Sequence, residues 1–290
     1  MDLKANKGFM PNNILNRYVF ILAILLISFA AWANPPLASK QQIGMFLNSK
    51  TCVVLENVNI SYTANIKDAV QKYWKSTEFE FINGQEFEKR RFDSKYSFIV
   101  LTKGVFDKDP GGISYNYIRL VLGGPASEIT NMPEFCSIPI SYTDDNNADY
   151  EYVIPAIVQF MQKHVKNLET RHLLIALKGL KYYNGASGFS NKVLLFNKDH
   201  MASNANTSEK IRTVYPYYVK LLGSSEIIKE LSTNPANTLF DFHVGAPQNS
   251  GAGKCFDMIF DVYGNLYYFN SRKITNDNED GFNLKDFQKI

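Results

Sequence analysis

Twice along this chain the apolar pattern runs strand, helix, strand, strand, and the two runs stand 141 residues apart. Cys52 and Val193 open them, and Phe98 and Leu239 fall in their later strands. Trp74 and Tyr215 sit within their helices, and Gly123 and Gly264 end their last strands. Strands alternating with helical segments predict βαβ pairing and parallel sheet. The fold class expected is therefore mixed α/β, with two βαβ-like units that each end in antiparallel strands and are bridged by a helix pair. Residue identity across the offset is poor, so two readings stand: an internal duplication, or two unrelated α/β halves.

Local periodicity supplies the elements. Thr51–Asn57 and Tyr96–Thr102 are continuous apolar runs, as strands buried on both faces require. Ile66, Ala69, Val70, Tyr73 and Trp74 fall at helical spacing, which predicts a helix over Asn65–Lys75 capped by Asn65. Glu78–Ile82 alternates, Gln85–Phe92 reads as a short charged helix, and Tyr115–Leu122 alternates with Ile118, Leu120 and Leu122 on one side. Residues 126–149 read as mostly irregular. Tyr150–Leu168 and Leu173–Tyr182 form the bridging helices, and the Gly/Ser/Asn stretch 184–191 is the candidate boundary. In the second half Lys192–Asn197 and Leu239–Val244 read as strands. Ser208–Leu222 reads as a helix interrupted at Pro216, and Glu226–Leu231 as another helix. A hairpin turning on Gly264-Asn265 would pair Tyr263 with Leu266, Val262 with Tyr267 and Phe260 with Phe269. The tail from Thr275 is polar and is expected to fray. The expected organisation is a signal peptide over 1–33, an N-terminal α/β unit over 34–149, and a helical bridge and linker over 150–190. A C-terminal α/β unit over 191–274 and a polar tail over 275–290 complete it.

The leader sets the expected compartment. Lys4, Lys7 and Arg17 precede sixteen uncharged residues, Tyr18–Ala33, which end in the A-x-A signal Ala31-Trp32-Ala33. That is the layout of a cleaved secretory signal, and sixteen residues fall short of the roughly 20 that a spanning helix wants. Cleavage after Ala33 leaves 257 residues and lowers the formal net charge from +3 to +1. No global basic field remains to recruit nucleic acid or acidic lipid. The densest basic spot, Lys89-Arg90-Arg91, is flanked by Glu86 and Glu88 and reads as a solvated helix face.

Three cysteines, Cys52, Cys136 and Cys255, allow at most one intramolecular disulfide. Cys52 and Cys255 lie in strand-like runs, where a buried, inert thiol is the default. One chemical alternative is a thiol nucleophile: Cys255 with His243 as base and Asp257 or Asp241 nearby to orient it. No helix N-terminus follows Cys255 to lower its pKa. His164, His172 and His200 are scattered and lack the spacing of a zinc helix, so neither metal nor cofactor is expected. Gly251–Cys255 imitates a phosphate loop, but Gln248 occupies the earlier glycine position and Cys255 that of the hydroxyl. The acidic turns Asp144–Asp149 and Asn276–Gly281 lack calcium-loop ligands, with Ala148 at position five and Phe287 at position twelve.

Tyrosines at 115, 117, 142, 150, 152, 182, 183, 217, 263 and 268 fall in loops and at solvent-side strand positions. They are read either as a contact surface for a partner or glycan, or as amphipathic cover for sheet edges. The stretches Tyr73–Ile82 (YWKSTEFEFI) and Met132–Tyr142 (MPEFCSIPISY), behind the leader, resemble an exported family of unknown function from Bacteroidetes-type Gram-negative bacteria. The resemblance implies a periplasmic or outer-membrane-associated place and no particular chemistry. The function expected is an exported, non-catalytic binding or assembly module whose partner is an envelope protein or glycan, without a stable transmembrane span after cleavage. The alternative is a thiol-dependent hydrolase using Cys255 and His243.

Overall fold

The apolar runs assemble into two five-stranded sheets that share one strand order and one set of directions. The structure, a computed structural model, describes residues 36–106, 112–143, 145, 150–185, 188–247, 252–275 and 278–290. The leader and its cleavage signal lie outside these residues.

The first sheet contains β1 (Lys50–Val54), β2 (Phe79–Ile82), β3 (Tyr96–Val105), β4 (Ser114–Leu122) and β5 (Glu134–Tyr142), in the order β2-β1-β3-β4-β5. β1 pairs in parallel with β2 and β3; β4 and β5 then follow antiparallel. The second sheet contains β6 (Val193–Asn197), β7 (Val219–Leu222), β8 (Thr238–Val244), β9 (Lys254–Phe260) and β10 (Leu266–Lys273), in the order β7-β6-β8-β9-β10. Its directions repeat those of the first. In chain order the helices are α1 (Lys40–Leu47), α2 (Ile60–Tyr73), α3 (Gly84–Arg90), α4 (Val153–Lys178), α5 (Ser208–Arg212), α6 (Ser224–Thr233) and α7 (Leu284–Phe287). Each parallel pair is joined through a helix, as a crossover requires.

One face of each sheet turns to a shared core. Ile99, Ile118 and Leu120 from the first sheet and Phe240, Met258 and Phe260 from the second pack there with Ile66 of α2 and Ile157 of α4. The outer face of the first sheet is covered by α3, with Phe87 edge-on to Phe98 at 5.0 Å. The outer face of the second is covered by α5 and the C-terminal segment, through Ile211, Tyr215, Phe282 and Phe287. Among the described residues, no helix is long and apolar enough to cross a membrane.

Several expectations need correction. α2 begins five residues early because Asn59, not Asn65, caps it, accepting from the Tyr62 N–H at 2.9 Å. The stretch read as irregular contains β5, whose Pro139 disguises it. Proline is tolerated there because β5 is an edge strand and need not donate on its free side. The helix expected over 208–222 stops at Arg212, and beyond Pro216 the VKLL run becomes the edge strand β7. The bridging pair, by contrast, is present: the span labelled α4 is two helices meeting at a kink with non-helical backbone at Arg171 (φ −125°, ψ 26°), and a 3-10 turn over Gly179–Tyr183 follows.

The hairpin register also differs: Leu266 pairs with Phe260, and a bulge follows. The loop is wide because Asp261 Oδ1 accepts from the N–H groups of Tyr263 and Asn265, a side-chain turn that outcompetes the two-residue one. Gly264 (φ +72°) is needed there, since a Cβ would lie 2.6 Å from the Ala156 carbonyl of α4. The tail is not frayed: Phe282 and Phe287 are buried, and Phe282 bridges to Met201. Of the tyrosines expected at the surface, Tyr115, Tyr150 and Tyr152 lie in the shared core between the sheets, and Tyr268 is buried on the outer face of the second sheet under the C-terminal segment.

Candidate functional site

At the carboxyl end of the parallel strands β6 and β8, the outer face of the second sheet carries charge where a core would ordinarily be apolar. Alternation puts Asp241 and His243 of β8 on this face, with Cys255 and Asp257 of β9 and Asn270 and Arg272 of β10 beside them. The ladder sets His243 directly opposite Asp257, and Cys255 opposite Arg272. The C-terminal segment crosses this face and adds Asp280 and Asp286.

His243 is held from both sides. Its Nδ1 donates to Asp257 Oδ1 at 2.7 Å and its Nε2 to Asp280 Oδ1 at 3.0 Å. Burial alone would lower the imidazole's pKa, but the two hydrogen bonds and the two negative charges outweigh it and raise the value to about 10. Asp280, although desolvated, is held below its ordinary value by the same bond and by the N–H groups of Ala246 and Gly281. Arg272 donates to the other oxygen of Asp257, to Asp286 Oδ2 at 3.3 Å and to the Gly281 carbonyl. Asp286 also accepts from Tyr268 Oη and Asn270 Nδ2, each at 2.9 Å, and with Asn283 forms the capping box of α7. Asp257, Asp241 and Asp286 are almost wholly buried, and each is matched by donors.

A second pair lies alongside. Asp241 accepts from the Asn197 N–H at 2.7 Å and from His200 Nδ1 at 3.1 Å. The His200 ring is 5.6 Å from that of His243. The chain leaves β6 for β7 and returns on the other side as β8, so the β6–β8 gap is a topological switch point, where open α/β sheets hold ligands. Here Asp241 and its donors fill that gap.

The three residues singled out for thiol chemistry therefore share one face without forming a thiol–base pair. His243 does meet Asp257, as an orienting carboxylate would require, but Asp280 takes the nitrogen a nucleophile would need. No hydrogen bond joins Cys255 to His243 among the described residues. Burial, then the Asp257 charge, pushes the Cys255 thiol far above its ordinary value, so it is a poor nucleophile. Cys52 and Cys136 are also buried and free. Desolvation and the Glu80 charge raise Cys52 to about 11. His164, buried in α4, contacts Tyr183 Oη at 2.6 Å, and burial lowers its pKa to about 4.

Of the glycine loop before β9, residues 248–251 lie outside the described residues. Its end is pinned by Tyr115 of the first sheet, whose Oη accepts from the Lys254 N–H and donates to the Lys254 carbonyl, each at 2.7 Å. The turn Asp144–Asp149 lies mostly outside the described residues. In Asn276–Gly281, Asp280 belongs to the His243 network. Sequence reading missed Arg272, Asp280 and Asp286. The available signal was alternation in β10, which places Arg272 on the face of Asn270, but the strap that supplies the carboxylates has no period to read.

No family model matches the chain, and no curated protein or solved structure shows significant similarity to it.

Proposed function

We propose that the chain is an exported cell-envelope protein that acts as a non-catalytic binding or assembly module, with an envelope protein or glycan as partner. One observation carries the non-catalytic part. The histidine that a thiol hydrolase would need spends both ring nitrogens on carboxylates, so it has no lone pair with which to take a proton. A charge network in which both His243 nitrogens and every buried carboxylate are matched, with Arg272 Nε left without a partner among the described residues, locks the C-terminal strap to the sheet, which is a structural task. The place in the envelope rests on the leader composition and on the resemblance of Tyr73–Ile82 and Met132–Tyr142 to an exported Bacteroidetes-type family.

Two measurements test the reading. Mass spectrometry of the natural product from envelope fractions is expected to find an N-terminus at Asn34; a product beginning at Met1 in the cytosol overturns export. In-cell cross-linking is expected to give the same products for Cys255→Ala as for the wild type, once both are shown folded. Loss of a hydrolytic activity in that variant sinks the non-catalytic reading.

A further inference from the structure

Three leucines near the end of α4 face away from the fold. Leu173 and Leu177 are 77% and 84% exposed, and Leu174 is 44% exposed, while Ile175 between them is buried. Spacing explains this: residues 173 and 177 share the face opposite Ile175. Single exposed leucines are ordinary, but three on one and a half turns form a patch. Basic residues flank it in sequence. Lys166, Arg171, Lys178 and Lys181 are all exposed, and Glu169 is the one carboxylate between residues 166 and 181. None of the four cations is ion-paired among the described residues.

The N-terminal chain enters the fold at the same place. His172, next to Leu173, contacts the Ala38 carbonyl through Nε2 at 2.9 Å. The uncharged stretch Tyr18–Ala33 ends only a few residues before Ala38. At about 3.5 Å per residue its end is within reach of this face.

We propose that this end of α4 is a docking surface for an anionic phospholipid bilayer, with Leu173, Leu174 and Leu177 entering the headgroup boundary and the flanking lysines and arginine meeting phosphate. It goes beyond the binding role proposed above, whose partner is an envelope protein or glycan, by adding a local lipid-facing surface to a chain that has no global basic field. Leucines flanked by basic groups that can snorkel are the chemistry of an interfacial helix. A second copy of the chain is a poorer occupant, because two faces each carrying four cations against one anion repel.

The test uses the chain from Asn34 onward, which keeps every described residue. It is sedimented with phosphatidylcholine vesicles that contain or lack phosphatidylglycerol. Binding is expected on the anionic vesicles only, weakening with salt, since each cation near such a surface contributes roughly five-fold. The L173D/L177D variant is expected to lose binding more than tenfold with an unchanged circular dichroism spectrum and thermal midpoint. Should that variant fail to fold, K178E/K181E, which leaves the leucines in place, is expected to lose the preference for anionic vesicles. V58D/I60D, at exposed apolar positions elsewhere, is expected to bind as the wild type does.

No affinity of the folded wild type for anionic vesicles overturns the proposal, as does wild-type binding by L173D/L177D. A wild-type dimer that L173D/L177D converts to monomer assigns the patch to a second copy instead. Failure here with Cys255→Ala still neutral leaves the non-catalytic reading standing. Activity that depends on Cys255, alongside intact vesicle binding, removes only that reading.

Discussion

The two sheets are built on the same ladder and filled in opposite ways. Phe98 of β3 pairs with Cys52, and Leu239 of β8 pairs with Leu194. Two and four residues further on, β3 presents Val100 and Thr102, whereas β8 presents Asp241 and His243. Across the next ladder Thr102 faces Tyr117, whereas His243 faces Asp257. Backbone topology evidently does not dictate this polarity; the cover does. The outer face of the first sheet receives α3, whose Phe87 is apolar. The second receives a strap that brings two carboxylates and backbone acceptors, so cations can be buried there without losing partners.

The largest effect expected follows from removing one member of the network. Asp257→Ala removes the carboxylate shared by His243 and Arg272, leaving them with Asp280 and Asp286 respectively, and should cost about 3–5 kcal/mol in urea unfolding. Tyr117→Phe, across the equivalent ladder of the first sheet, should change stability by less than about 1 kcal/mol. Equal losses at the two sites would break the comparison.

Stability should also depend on pH through the second sheet. The folded-state pKa of His243 is raised, so its contribution is complete below its ordinary value of 6.5 and is lost as pH rises through about 10. The folded-state pKa of Asp280 is lowered, so its contribution is present above 3.8 and is lost as pH falls through the folded value. At about 1.4 kcal/mol per unit, the alkaline loss is on the order of a few kcal/mol. His243→Gln should flatten the alkaline limb of a urea-midpoint profile, while Thr102→Ser should leave it unchanged.

Smaller effects sharpen the contrast. Cys255→Ala should cost roughly 1–2 kcal/mol by leaving a small cavity, and the folded wild-type thiol should resist maleimide. Rapid labelling of Cys255 in folded protein would contradict its burial. Thr102 Oγ1 is buried without a hydrogen-bond partner among the described residues. Thr102→Val should therefore be neutral or stabilising by up to about 1 kcal/mol in thermal unfolding.

Much of the fold was legible because it depends on short-range pattern. The buried runs of β1, β3, β6 and β8 and the stripe of α4 are periodic, and the recurring element order anticipated two sheets of one topology. The register offset holds between Phe98 and Leu239 but slips by one at the first strands, where Cys52 and Leu194 are the matched partners. What could not be read was set by tertiary context. Pro139 is compatible with strand only because β5 lies at an edge. The hairpin register follows Asp261, whose carboxylate reorganises the turn. The site was half visible: Asp257 beside His243 follows from strand pairing. Asp280 and Arg272, which complete the network around His243 and Asp257, come from an aperiodic tail and from the far side of the sheet.

The most direct test of the locked histidine is a nitrogen-resolved NMR titration of the His243 imidazole in the folded protein. The ring should stay doubly protonated from pH 6 through 9 and lose a proton only near 10. A ring that is neutral at pH 7.5 would contradict the account and return His243 to the list of candidate general bases.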